Sequence, residues 1–268
     1  MTDDQLIQEL ATKFDLQLIT PVGSTYSFAA DDLVKEENMR KFIDCYRPLM
    51  KALDDTAVAA YFGSWFSSVA LALQYSLSIA DSIPDLSLSN LDLHLVPSNG
   101  YCRVAYVIKQ WKSESGPLDG LEREKWRQRV LSDFYQNTAR PIIQSISTVS
   151  GLASGQIWGQ LPTKFNYYMD IWTESINDDD TLQKLQNDYE CLKNDISSDV
   201  FGLLKNPFQV KIRNIESLAD PKKNVQMRNR CCLYYLTEGG DYCYTCPRLK
   251  EEERAERRMK HKEQATLS

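Results

Sequence analysis

Four of the seven cysteines stand close together near the C-terminal end of the chain, as Cys231-Cys232-x10-Cys243-x2-Cys246. No other part of the 268-residue sequence has a comparable density of metal-binding side chains, and the chain has only two histidines. Thiolates are the ligands that zinc and iron–sulfur clusters take in proteins, and four of them complete a site of either kind. The spacing therefore predicts a metal centre built from these four cysteines.

The spacing also separates the candidate metals. A structural zinc site is usually built from two Cys-x2-Cys pairs, and here only residues 243–246 have that form. Cys231 and Cys232 are adjacent, with Cα atoms about 3.8 Å apart, so both sulfurs face one metal only if the backbone is bent. Ligands presented to two metals accommodate an adjacent pair more easily. The residues therefore favour a two-iron cluster over zinc, and zinc over thiol–disulfide chemistry.

Helices dominate the elements that must position this centre. Apolar residues spaced three to four apart predict amphipathic helices at 3–14 and 35–53. Residues 55–83 are apolar nearly all round, which predicts a buried helix capped by Asp54 or Asp55. Further helical patterns cover 119–137, 139–151, 157–176 and 181–205.

Strands are predicted in two places. Residues 87–96 alternate apolar and polar side chains, PSNG at 97–100 supplies a turn, and 101–111 are rich in β-forming residues, which together predict a hairpin. Residues 208–215 (FQVKIRNI) alternate again and predict a strand that leads towards the cysteines. The fold class expected is α+β, mainly helical, with a small antiparallel sheet and a C-terminal iron–sulfur module.

Charge divides the chain into two parts. The formal net charge is −6, but residues 221–268 carry 11 Lys and Arg against 7 Asp and Glu, whereas residues 1–220 carry 20 against 30. A polar turn at 220–224 marks the change. We therefore predict an α+β body at 1–220 and a cluster-binding module at 221–268. The overall acidity, with no recognition-helix motif, argues against a nucleic-acid partner.

The cysteine spacing resembles that of the ferric siderophore reductase family (FhuF-like), in which the four cysteines hold a [2Fe-2S] cluster. Residues 157–160, IWGQ, are similar to a Leu/Ile-Trp-Gly-Asn segment of these reductases. Gln160 stands where Asn is commoner, and the resemblance makes Trp158 and Gly159 structural or pocket residues. It implies a cytoplasmic enzyme that gives one electron to Fe(III) in an imported hydroxamate or citrate-type siderophore, so that Fe(II) dissociates.

The sequence shows no nucleotide-binding motif that could supply electrons. The sequence has no GxGxxG after a strand and no P-loop, so electrons are expected from an external donor such as a ferredoxin or a flavin reductase. Arg228, Arg230 and Arg248 flank the cysteines, and Arg230 and Arg248 are predicted to bind an anionic ferric chelate. The alternative is that these arginines pair with the acidic residues of the same segment.

Two other functions stay open from the residues alone. One is a zinc-stabilised binding or scaffold protein, and the other is an iron–sulfur redox sensor. The chain starts with the acidic segment MTDDQ and contains no uninterrupted apolar run of the roughly 18 to 20 residues that a membrane span needs. These features predict a cytoplasmic monomer without stable membrane insertion.

Overall fold

The computed structural model describes residues 1–267, with side chains through residue 264, and most of it is helical. The α-helices are α1 (Asp3–Phe14), α2 (Glu36–Leu49), α3 (Asp55–Tyr75), α4 (Gly120–Asp133), α5 (Arg140–Ser150), α6 (Ser154–Trp158), α7 (Leu161–Ser175), α8 (Asp179–Asn194) and α9 (Glu251–Leu267). The strands are β1 (Leu16–Gln17), β2 (Tyr26–Ala29), β3 (Ser82–Pro84), β4 (Leu91–Ser98), β5 (Tyr101–Ile108), β6 (Ser113–Ser115), β7 (Asn214–Glu216) and β8 (Asn224–Gln226). The predicted fold class, a mainly helical α+β protein with small sheets, is confirmed.

Helix α3 forms the centre of the core. Its N-terminus is capped by Asp54, whose carboxylate accepts a hydrogen bond from the Ala57 amide at 3.1 Å. The helix packs against α1, α2, α5, α6 and α7 and continues into a π-helical turn at Ser76–Ala80. Asp55–Ala80 is long and apolar enough to cross a membrane, yet 72% of its most apolar window is buried inside the protein. The prediction of a buried, capped helix is confirmed, and burial in the core explains its apolar sequence.

The principal sheet has the strand order β1-β5-β4-β2. Strands β4 and β5 form the predicted antiparallel hairpin, in which Ser98 pairs with Tyr101 and Gly100 takes a left-handed φ of +84° in the two-residue turn. Strand β2 adds to β4 antiparallel, and the short β1 pairs with β5 in parallel. Neither outer strand was predicted, because two to four residues are too few to show a period.

The strand predicted at 208–215 is wrong for most of its length. Phe208 is buried among aromatic rings, with its ring centroid 4.9 Å from that of Phe165. Asn206 holds the backbone there, because its side chain donates to the Leu192 and Ile196 carbonyls and accepts from the Phe208 amide. Only Asn214–Glu216 pairs with another strand, β8. Alternation without a partner strand leaves the segment irregular.

Helix α6 connects the core to the cysteine-bearing segment. A Cβ on Gly63 of α3 would lie 2.8 Å from Cγ2 and 2.9 Å from the carbonyl oxygen of Ile157, so glycine lets the two helices touch. Trp158 is fully buried and packs edge-on against Phe201, with ring centroids 5.2 Å apart. The next residue, Gly159, is therefore held at a fixed place beside the cysteines. The domain boundary near residue 220 falls between β7 and β8 and stays a prediction.

Candidate metal centre

The four clustered cysteine sulfurs form two pairs. The Sγ atoms of Cys231 and Cys246 lie 3.4 Å apart. The thiols of Cys232 and Cys243 interact with each other, and this contact is the largest influence on the pKa of both. None of the four is in a disulfide, and Cys243 is only partly buried whereas the other three are buried. Residues adjacent in sequence thus belong to different pairs.

A bent backbone makes this pairing possible. After Cys232, Leu233 takes a left-handed conformation with φ 59°, and a 3-10 turn follows at Tyr234–Leu236. This turn is fixed to the connection between α2 and α3, because the Leu53 amide donates to the Leu236 carbonyl at 2.8 Å. A non-glycine residue in the left-handed backbone conformation costs energy and occurs where surrounding contacts enforce it. The backbone at the adjacent cysteines is therefore bent, but their sulfurs belong to different pairs and do not face one point.

Cys243 and Cys246 lie on a tight turn. The Cys246 amide donates to the Cys243 carbonyl at 2.9 Å, and the Arg228 amide donates to the Thr245 carbonyl at 3.0 Å. The Arg248 amide points at the Cys246 sulfur, 3.4 Å away. Hydrogen bonds of this kind to a ligand sulfur raise the reduction potential of an iron–sulfur cluster.

Helices α6 and α7, with Gln160 between them, anchor the backbone around Cys231. The side-chain amides of Gln156 and Gln160 both donate to the Cys231 carbonyl, at 2.8 and 3.1 Å. The Asn229 amide donates to the Thr163 hydroxyl at 3.0 Å. The sequence does not identify Gln156 as part of this site, since nothing in its spacing indicates a contact with the cysteines. Gln160 belongs to the IWGQ segment, and the structure gives that segment a definite role, which is to hold the backbone at Cys231.

Helix α9 anchors the turn that carries Cys243 and Cys246 through a buried arginine. Arg254 is 3% exposed and donates to the Tyr244, Cys246 and Leu249 carbonyls, each at 3.1 Å. It also forms an ion pair with Glu251 at 2.6 Å. A buried guanidinium is stable here because its donors have partners and its charge has a counter-ion. Much of the basic character of the C-terminal part therefore serves to hold the cysteine turn.

The three arginines that flank the cysteines have different surroundings. Arg228 acts electrostatically on Cys232 and Cys243. Arg248 donates to the Tyr235 hydroxyl at 2.8 Å, whereas Arg230 is exposed and packs over Gly159. Among the described residues none of the three forms an ion pair with a carboxylate. The alternative of pairing within the segment is therefore wrong for them, and Asp241, Glu251 and Glu216 pair instead with arginines of α9.

A half-buried lysine adds positive charge near Arg228. Lys164 on α7 donates to the Ser64 carbonyl at 2.8 Å and lies over the Trp65 ring, 5.5 Å from its centroid. Burial lowers the pKa of Lys164 to about 8, and the nearby charge of Arg228 acts in the same direction. This lysine was missed from the sequence, because its position on an aromatic helix gives no sign of its surroundings.

The contact between Cys232 and Cys243 makes the two thiols unequal. The hydrogen bond from Cys232 lowers the pKa of Cys243 to about 6, with the positive charge of Arg228 helping and burial opposing. The same hydrogen bond, together with burial, raises the pKa of Cys232. The thiolate, not the thiol, binds metals. The two members of this thiol pair therefore differ in how readily they lose a proton.

The pairing provides a test of which metal centre the residues fit. A mononuclear zinc site needs four ligands around one ion. Within the part of the chain that the structure describes, no three His, Cys, Asp or Glu side chains converge on one point in that way. A [2Fe-2S] cluster needs two cysteines for each of its two irons. Two separate thiol pairs, connected by adjacent residues, fit that requirement, and Cys231, Cys232, Cys243 and Cys246 are the residues that would hold it.

The contact between Gly159 and Arg230 leads to a prediction about how the end of α6 packs against the residue before Cys231. A Cβ at residue 159 would overlap Arg230 Cγ and lie 3.1 Å from the Gly155 carbonyl oxygen, so Gly159→Ala must shift the Arg230 side chain next to Cys231. We expect a loss of about 1 to 3 kcal/mol in stability, together with a lower cluster content. The control is Gly155→Ala in α6, whose Cβ would meet only Leu203 Cδ2 at 3.9 Å. Thermal unfolding and iron counts compare the two, and equal effects would contradict the proposed contact.

Comparison with protein families matches one segment of the chain. The family model described as FhuF 2Fe-2S C-terminal domain matches residues 228–248, a segment that contains the four clustered cysteines and Arg228 and Arg248. No curated protein matches the chain. The expected cofactor of a domain of this kind is a [2Fe-2S] cluster, in agreement with the two thiol pairs. Residues 228–248 are therefore similar to the 2Fe-2S C-terminal domain of FhuF-like proteins, and the four clustered cysteines lie inside the match.

Proposed function

We propose that this protein is a ferric siderophore reductase, which passes one electron to Fe(III) in a hydroxamate or citrate-type siderophore. The observation that carries the proposal is the pairing of four thiols, two and two, inside a FhuF 2Fe-2S domain. The bound cluster would supply one-electron transfer. Oxygen ligands hold Fe(II) more weakly than Fe(III), so reduction frees the metal.

The residues around the cysteines suit such a role. Cys231, Cys232 and Cys246 are buried, whereas Cys243 is partly exposed, so the centre is shielded from water on most sides and approachable on one. Arg228 and Lys164 place positive charge in this region, and the Arg248 amide points at a ligand sulfur. Positive charge and sulfur hydrogen bonds favour the reduced state, which carries one more negative charge.

The electron balance requires a second protein or a small reductant. We propose that an external one-electron donor, such as a ferredoxin or a flavin reductase, reduces the protein before each ferric chelate is reduced. One electron enters from the donor and one leaves to Fe(III), so the protein returns to its starting state. We further propose that this takes place in the cytoplasm, where thiols stay reduced and imported siderophores release their iron, and that the protein acts as a monomer.

The test uses anaerobically purified protein. Iron, zinc and acid-labile sulfide are counted, the protein is reduced with dithionite, and excess reductant is removed. A ferric siderophore is then added with a colorimetric Fe(II) trap. We expect about two irons and two sulfides per chain, return of the oxidised visible spectrum, and one trapped Fe(II) per reduced chain.

Each alternative function predicts a different result. Colourless protein with one zinc would overturn the proposal in favour of a zinc-stabilised scaffold. A cluster that ferric siderophores do not reoxidise would favour a redox sensor. The matched control is protein from which the cluster has been removed, which should trap no Fe(II) above the background of the reagents.

A further inference from the structure

A cavity of about 590 Å³ lies beside the residues that precede Cys231. Its walls come from helix α6 and from the irregular segment after α8 on one side, and from Asn229 and Arg230 on the other. Its volume falls in the range of pockets that enclose small organic ligands, roughly 300 to 1,000 Å³. Because Arg230 and Cys231 are adjacent in the chain, a ligand in this cavity would lie next to the predicted metal centre.

The charge of this cavity has one sign. Lys205, Lys211 and Arg230 line it, and none of the described residues in its wall is acidic. Lys205, Lys211 and Arg230 are exposed, and the described part of the chain provides no carboxylate within ion-pair distance of them. Three unpaired cations in one concave surface attract and orient an anion, since the field of a cleft is concentrated by its low-dielectric walls.

The rest of the wall suits an organic anion. Leu203, Leu204 and Val210 offer apolar contacts, and Leu204 is fully exposed at 100%. Asn229, whose side-chain amide donates to the Gly159 carbonyl at 3.4 Å, adds a polar group to the wall. Arg guanidinium groups bind carboxylates through two parallel hydrogen bonds, which adds geometric selection to the charge.

A second cavity near the cysteines differs in its chemistry. It encloses about 310 Å³, and its lining includes the aromatic side chains of Tyr61, Trp65 and Tyr234, together with one cation, Lys51, and one carboxylate, Glu238. Its charges cancel, so it has no electrostatic preference for an anion. The two cavities therefore differ in the charge of the chelate that each would favour.

We infer that the cavity lined by Lys205, Lys211 and Arg230 binds negatively charged, carboxylate-bearing ferric chelates of the citrate type. The inference rests on the proposed function and assigns its substrate class and the place where the substrate binds. Arg230 alone of the two arginines predicted from the sequence belongs to this site, since Arg248 donates to Tyr235 instead.

The experiment measures binding of gallium(III) citrate to the cluster-containing protein by calorimetry at low ionic strength. Ga(III) has the charge and nearly the size of Fe(III) but is not reduced here, so binding is separated from electron transfer. We expect the K205Q/K211Q variant to bind about tenfold more weakly, and the affinity of the wild-type protein to fall as salt is added. A neutral gallium(III) trihydroxamate should bind equally to both proteins.

The control is K222Q/K223Q, which removes the same charge from the same half of the chain but outside the cavity. We expect it to bind gallium(III) citrate as the wild type does, and R230Q to bind it more weakly with an unchanged visible spectrum. Equal weakening in both double variants would overturn the inference, because net charge alone would explain it. Absence of gallium(III) citrate binding to the wild type, or equally tight binding of metal-free citrate, would also overturn it.

The outcome for the cavity is separable from the outcome for the reductase. If ferric citrate reoxidises the reduced protein while K205Q/K211Q binds gallium(III) citrate normally, the cavity assignment fails and the reductase stands. If no ferric siderophore reoxidises the protein, the proposed function fails, whatever the gallium chelate does.

Discussion

Replacing Cys232 or Cys246 with serine is expected to remove most of the cluster while the helical body stays folded. The two cysteines come from different thiol pairs, so each substitution takes one thiolate from one of the two irons. Serine is a poor substitute because its hydroxyl does not ionise near neutral pH. Loss of an outer-shell partner alone lowers metal affinity by roughly 10- to 100-fold, so loss of a direct ligand should cost at least as much.

Visible absorption, iron counts and far-UV circular dichroism measure this result together. The matched control is Cys45→Ser, which changes a partly buried cysteine on α2 that lies outside the matched segment. We expect the control to keep its iron and all three proteins to keep their helical signal. A Cys232→Ser or Cys246→Ser protein with an unchanged spectrum and iron content would remove that residue from the ligand set.

The pairing also predicts how the four serine variants group. If Cys231 and Cys246 bind one iron and Cys232 and Cys243 the other, variants within a pair perturb the same iron. The electron paramagnetic resonance spectra of the residual reduced cluster should then fall into two classes along these lines. Grouping by sequence, with 231 and 232 alike, would contradict the pairing seen in the structure.

Replacing Arg254 with methionine is expected to have the second large effect. Methionine fills a similar space but leaves the Tyr244, Cys246 and Leu249 carbonyls without their donor and Glu251 without that partner. Leaving a buried carbonyl without its donor typically costs about 1 to 3 kcal/mol, whereas Glu251 is exposed and keeps its ion pair with Arg258. The turn that carries Cys243 and Cys246 should therefore open at lower temperature, and the cluster should be lost with it.

The loss of the cluster is measured as the decrease in visible absorption during anaerobic heating. The matched control is Arg257→Met on the same helix, because Arg257 also contacts the cysteine loop, through the Tyr242 carbonyl and Asp241, but is 33% exposed. Water can replace its contacts, so we expect a cost of about 1 kcal/mol or less. Equal midpoints for the two variants would show that burial of Arg254 has no special importance.

Much of the body of the fold is predictable from local patterns. The helix at 55–83 and the hairpin at 87–111 were predicted correctly, because a long apolar run and an alternating pair of segments around Asn-Gly each allow one structure. The strand at 208–215 was predicted wrongly for the opposite reason. Its alternation is real, but a strand also needs a partner, and the segment is held instead by Asn206 and the burial of Phe208.

Burial of single polar residues lies beyond such patterns. Asp188 belongs to the polar helix α8, yet it is fully buried, where Arg123 and Ser78 donate to its carboxylate. Nothing in the residues next to Asp188 distinguishes it from the exposed acids of the same helix. The arginines of α9 show the same limit, since their sequence suggests a solvated basic face and the structure uses Arg254 inside the protein.

The sequence by itself determined the ligand type of the centre, because an adjacent pair of cysteines and a Cys-x2-Cys pair stand close together, and it favoured two irons over zinc. Only the tertiary structure decided which cysteine faces which, that Gln156, Gln160 and Arg254 hold them, and that Lys205 and Lys211 share a cavity with Arg230. The physical reason is distance. Ligand type and spacing are local properties of the chain, whereas pairing, burial and the sum of charges depend on segments separated by tens of residues, which only the folded core brings together.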